Sequence, residues 1–170
     1  MQPGPLPRPN LKLTGVFALV VAVGLVIGWI VGRDSAGIAE IGERAPDFSV
    51  ELIDGGTFNL SQARGRPVIV NLWASWCAPC REEIPDISAF ASANPDVTVV
   101  GVAVQDPEKS AREFAATIGA TYPLALGTPG FEDAYPHLGL PATYIVDEDG
   151  TVIEVINGIV NEEILTDALA

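Results

Sequence analysis

The chain opens with a polar tail and a long uncharged run, then breaks into short segments in which apolar and polar positions alternate or cluster. Residues 13–32 carry no charged side chain and lie between Lys12 and Arg33. A helix needs roughly 20 apolar residues to cross the hydrocarbon layer, so this run predicts a transmembrane segment. Further on, Phe48-Ser49-Val50-Glu51-Leu52 alternates, Asp54-Gly55-Gly56 turns and Thr57-Phe58-Asn59-Leu60 returns, which predicts a β-hairpin. Residues 67–74 (PVIVNLWA) and 97–104 (VTVVGVAV) are β-branched and apolar on both faces, as strands in the middle of a sheet are. Residues 78–93 predict a helix kinked at Pro85.

Asp106 caps and Pro107 opens a second helix that Gly119 stops after Ile118. Residues 122–126 predict a short strand and residues 131–138 a short helix containing Pro136. Residues 142–146 and 151–156 predict two strands joined by Asp147-Glu148-Asp149-Gly150, whose Asp-Gly is a hairpin signal. Asn161 caps a last helix with Glu162 and Glu163 in its first turn. The β-α-β-α order after the hairpin implies right-handed crossovers and a sheet with a parallel core.

The N-terminal region divides into a tail over residues 1–12, the span over residues 13–32 and a linker over residues 33–42, with the folded domain at residues 43–170. The tail alternates Pro3, Pro5, Pro7 and Pro9, so it is expected to be extended and unpacked. Gly37-Ile38-Ala39 would suit a signal-peptide cleavage site, but the apolar run exceeds the ~7 to 15 residues of such a segment, which favours an uncleaved anchor. Arg8 and Lys12 before the span are matched by Arg33 and Arg44 after it. Charge therefore barely orients the anchor, and the short leading tail points to a cytoplasmic N-terminus with the domain outside. Gly24, Gly28 and Gly32 share one helix face, a spacing that lets two such helices approach closely in a weak dimer.

Composition narrows the partners. A chain of 170 residues, 48% hydrophobic, is enough for one packed domain plus an appendage. Its net charge of -13 repels nucleic acid and anionic membrane surfaces and tolerates a basic client segment better.

The chemistry concentrates in Trp76-Cys77-Ala78-Pro79-Cys80, which holds both cysteines of the chain. Thiols three positions apart can close a small ring when the second lies on the first turn of a helix. The first then sits at the helix N-terminus, where free N–H groups and the positive end of the dipole favour a thiolate. Cys77 is thus the candidate nucleophile and Cys80 the resolving thiol. Pro79 fits an early helical position, where its missing N–H costs nothing. The same spacing is half of a zinc site, but a closed site needs four ligands and the chain adds one His and no further Cys, so no metal or other cofactor is expected. A purely structural disulfide is the other alternative, though so short a ring removes little unfolded-state entropy. Glu83 lies three residues after Cys80, about one turn away on the same face. A partly buried carboxylate there could accept the proton Cys80 must lose, or raise the cysteine pKa values by its charge; the alternative is a solvated helix residue.

Taken with Ala45-Pro46-Asp47-Phe48, the run from Asn71 through Cys77 and Cys80 to Pro85, and Gly139-Leu140-Pro141-Ala142-Thr143-Tyr144-Ile145-Val146-Asp147, the chain resembles the membrane-anchored TlpA/ResA/CcmG group of thiol-disulfide oxidoreductases from about Ala45 to Ala170. The resemblance implies an α/β thioredoxin-like fold, a central mixed sheet flanked by helices with an N-terminal β-hairpin. It matches Pro141 to the family's cis-proline, which faces the disulfide and helps hold an extended client through neighbouring backbone groups such as those of Leu140. In thioredoxin a buried acid lies six residues before the first cysteine; Asn71 takes that place here, an amide cannot act as a base, and proton handling would pass to Glu83. Trp76 would shield the disulfide and offer a client an apolar surface, or simply form part of the core edge. His137 is assigned no role.

The implied function is a protein-disulfide reductase outside the cytoplasmic membrane, facing a periplasm or the cell exterior. Apocytochrome c is the implied client, and a membrane thiol-disulfide donor would re-reduce the cysteine pair. An oxidase or isomerase of the same fold would differ in redox poise. A peroxidase of the peroxiredoxin class would want Thr or Ser at position 74, where Ala74 stands. A tethered binding module with an inert disulfide is the reading from a different class, and it predicts that Cys77→Ser leaves function intact.

Overall fold

The structure, a computed structural model, describes residues 37–170. The expected tail, the span at residues 13–32 with Gly24, Gly28 and Gly32, and residues 33–36 of the linker lie outside the described residues. Among the described residues no helix is long and apolar enough to cross a membrane.

Seven strands form one mixed sheet: β1 (Ser49–Leu52), β2 (Thr57–Asn59), β3 (Val68–Trp73), β4 (Thr98–Ala103), β5 (Leu124–Leu126), β6 (Ala142–Val146) and β7 (Val152–Asn157), in the order β2-β1-β5-β4-β3-β6-β7. The buried central run β3, β4 and β5 is parallel, as its two-faced apolar sequence implies. β6 adds to β3 antiparallel, and both hairpins, β1 with β2 and β6 with β7, are antiparallel as their turns require. The N-terminal hairpin joins the sheet through β1 against β5, also antiparallel.

Successive residues of β3 point to opposite faces, and two cores result. Val68, Val70 and Leu72 join Val100, Val102, Tyr144, Phe131 and Tyr135 on one face. On the other, Ile69 and Trp73 join both cysteines, Ile84, Ile87, Phe114 and Leu165. The helices covering these faces are α1 (Ala78–Ala93), α2 (Glu108–Ile118), α3 (Pro129–Ala134) and α4 (Glu162–Asp167). α1 buries Cys80, Glu83, Ile84, Ile87, Ser88 and Phe90, one stripe at helical spacing, and continues through Pro85.

Two expectations need correction. α3 does not occupy residues 131–138: it starts at Pro129, where the Thr128 side chain accepts from the Phe131 N–H, and ends before Pro136, which disfavours a helical Tyr135. Asp106 does not cap α2. Pro107 holds the cap position with no side-chain bond, and the Asp106 carboxylate turns back to the loop before α1. Packing also begins inside the segment read as linker: Ala39 is buried in the first core and its N–H donates to the Ala134 carbonyl at 2.7 Å.

Candidate active site

β3 delivers the chain to the end of the sheet where the parallel strands finish, and residues 74–77 turn it into α1. Cys77 is the N-cap residue of that helix, with extended φ/ψ of −84° and 103°. Its Sγ accepts from the Cys80 N–H at 3.2 Å, which satisfies one of the helix's free donors. Pro79 follows in the first turn, exposed, where a donor is not needed. The two cysteines are joined as a disulfide with Cα atoms 5.3 Å apart, Cys80 without exposed surface and Cys77 nearly so.

The turn is clamped from outside by the loop after β4. Asp106 accepts from the Ser75 N–H at 2.5 Å and the Ser75 hydroxyl at 2.8 Å. The Trp76 indole N–H donates to the Gln105 carbonyl at 3.1 Å, which leaves the ring largely exposed. Gln105 itself has φ of 51°, in the left-handed region that non-glycine residues seldom enter, and its N–H donates to Glu132 Oε1 at 3.0 Å. The Arg81 guanidinium, next to Cys80, lies 4.5 Å from the centroid of the Phe114 ring.

Glu83 is fully buried, not solvated. Its Oε1 accepts from Asn71 Nδ2 at 2.7 Å and its Oε2 from the Val160 N–H at 3.0 Å. Burial raises its pKa to about 7, against the smaller opposing pull of those two donors. Asn71 also donates to Thr143 Oγ1 at 3.2 Å, its register partner across β3 and β6. Nearby Tyr122 is pushed up by burial and then by the charge of Glu83, and its hydroxyl has no partner among the described residues.

The Leu140–Pro141 bond is cis. Leu140 packs against the core that contains both cysteines, and the Pro141 carbonyl accepts from the Gly158 N–H at 2.9 Å. The fold thus gathers Cys77, Cys80, Glu83 and Leu140 into one core and sets Trp76 and Pro79 at its surface. Ala74, where a peroxidase would want a hydroxyl, is a buried methyl. His137 Nε2 lies 3.5 Å from the Gln105 amide nitrogen, and its Nδ1 has no hydrogen-bond partner among the described residues.

Asp106, Gln105 and Val160 escaped the sequence reading. Val160 contributes a backbone amide, which no residue type announces. The Asp106 to Ser75 bonds join positions 31 apart, and Asp-Pro before a helix reads equally well as a local cap.

Residues 41–155 match the model of the AhpC/TSA family. The chain is similar to the thioredoxin-like protein YneN of Bacillus subtilis, 34% identical with 84% of this chain and 87% of that protein covered. It is similar to the thiol-disulfide oxidoreductase ResA of Geobacillus kaustophilus, 30% identical with 92% and 91% covered. Among solved structures, a thiol:disulfide interchange protein of the thioredoxin family from Chlorobium tepidum superposes with a TM-score of 0.67 at 32% identity, covering 75% of this chain and 96% of that one.

Proposed function

From a chain that belongs to the AhpC/TSA family and is a thiol-disulfide oxidoreductase of the ResA type, we propose a reductase that works outside the cytoplasmic membrane on client protein disulfides, with apocytochrome c as the implied client. Residues 13–32 anchor it, and a membrane dithiol donor returns it to the reduced state. In the working direction the Cys77 thiolate attacks a client disulfide and displaces one client thiolate, which takes up a proton. Cys80 then loses its proton to the Glu83 carboxylate, and its thiolate attacks Cys77 Sγ. The second client thiolate leaves, and the protein is left with the Cys77–Cys80 disulfide; one client disulfide has become two thiols.

Glu83 carries this reading. A buried carboxylate one turn from the resolving cysteine, with a pKa of about 7, can both accept and return a proton at neutral pH. Cys80→Ser is expected to accumulate a mixed disulfide between Cys77 and the client in cells, and recovery of no adduct would count against the mechanism. The equilibrium reduction potential of the pair sets the direction. A value near that of thioredoxin, about −270 mV, supports a reductase, and one near that of DsbA, about −120 mV, would make the protein an oxidase.

A further inference from the structure

Leu138 is 94% exposed, on a segment that leads straight to Pro141. A lone exposed leucine is ordinary on a protein surface. The backbone that carries this one is held in place: its N–H donates to Asn157 Oδ1 at 3.2 Å. Trp76, 60% exposed, is held as well, because its indole N–H is already bonded to the Gln105 carbonyl. Gln105 reaches on to His137, the neighbour of Leu138. On the far side of Pro141, Gly158 bonds the proline carbonyl and Ile159 is 46% exposed. Apolar groups therefore flank the cis-proline segment, and the bonded Trp76 ring and the braced backbone at Leu138 lower the cost of ordering them when a partner arrives.

Two further observations say what that partner is. Gly139 and Leu140, between Leu138 and Pro141, make no backbone hydrogen bond among the described residues, so their donors and acceptors are free for an extended peptide. In a chain with 22 acidic residues, positions 134–146 carry no Asp, Glu, Lys or Arg. The backbone of this segment can pair with any extended chain, while its exposed side chains, Pro136 and Leu138, are apolar.

We propose that Leu138, with Trp76, is the specificity-determining residue of the site and selects client segments with a large aliphatic or aromatic side chain close to the reactive cysteine. The proposal rests on the reductase reading and narrows its substrate class. Each turnover is the exchange already described: the Cys77 and Cys80 dithiol becomes the disulfide, and the client disulfide becomes two thiols.

The test uses the full chain in phospholipid vesicles, reduced beforehand, and peptides with one internal disulfide that differ only in the residue beside a cysteine: Leu, Phe, Ser or Asp. In this single turnover, Leu and Phe peptides are expected to oxidise the reduced protein with a second-order rate constant about tenfold or more above that of the Ser peptide, the size that burying one apolar side chain supplies. Leu138→Ser is expected to bring that ratio to within about twofold by weakening peptide binding, seen as a higher half-saturating peptide concentration, and Leu138→Phe to keep it. A ratio unchanged in Leu138→Ser overturns the proposal. So does a loss of self-association on the same substitution with peptide selectivity intact, which would assign the leucine to contact with a second copy. Failure of the unsubstituted chain to reduce any peptide would remove the reductase reading itself, a result distinct from loss of selectivity.

Discussion

A carboxyl group without exposed surface makes the stability of this fold depend on pH. Glu83 titrates near 4.5 when unfolded and near 7 when folded, so between those values the native state holds more protons than the unfolded one. Stability therefore falls as pH rises through that window, and the cost is fully present above it. At about 1.4 kcal/mol per pK unit the effect is of order 3 kcal/mol. Between pH 4.5 and 8, the unfolding free energy of Glu83→Gln relative to the parent is expected to move in the variant's favour by that order, in urea titrations of the oxidised protein. A difference that stays flat with pH would remove the buried acid from its role. The same substitution is expected to slow resolution of a Cys77 mixed disulfide about a hundredfold at pH 7, read by quenched-flow. Gly101 shows the packing limit on the same face: an added Cβ would lie 2.6 Å from Leu124 Cδ2 and 3.1 Å from Trp73 Nε1. Gly101→Ala is expected to cost about 1 to 3 kcal/mol by overpacking, measured by denaturant unfolding. Among these residues the cysteines were legible from their spacing, and Glu83 from its helical offset. Its burial was not, because that depends on Asn71 and Val160 arriving from other elements.

Among the elements, the loop after β4 acts as a brace for the redox turn. Removing the Asp106 carboxylate frees both the Ser75 N–H and its hydroxyl. Asp106→Ala is expected to lower the stability of the oxidised protein by about 2 kcal/mol, as bonds to a charged acceptor do. It is also expected to speed amide exchange at Ser75 and Cys77. Unchanged protection there would show that the turn holds its shape without the brace. Most elements were readable because their signals are local: alternation and Gly-Gly for the first hairpin, Asp-Gly for the second, and Asn161 for α4, where its side chain caps the Ile164 N–H. α3 was misplaced for a reason of the same kind. Thr128-Pro129 is a start signal, and Pro136 is a stop rather than a member.

For the whole molecule, strand order is the feature that local pattern does not carry. Nothing in residues 142–146 announces that β6 lies antiparallel beside β3, and the resemblance to known thioredoxin-like chains implied a mixed sheet but not its strand order. Net charge acts at this scale too. With -13 on the chain, encounter with a basic client peptide is expected to slow about tenfold between low and 0.5 M salt, and with an acidic one to quicken. Stopped-flow rates with two peptides of opposite charge would show it, and parallel salt dependences would exclude steering. The loop between β7 and α4 also bears on the molecule as a whole. Its Gly158 amide holds the Pro141 carbonyl, and two residues later its Val160 amide holds Glu83. A client that shifts this loop changes the proton affinity of the carboxylate, and thermodynamic reciprocity requires that protonation change client affinity by the same factor. For such a client the dissociation constant is expected to vary with pH around 7 even when the peptide has no titrating group of its own.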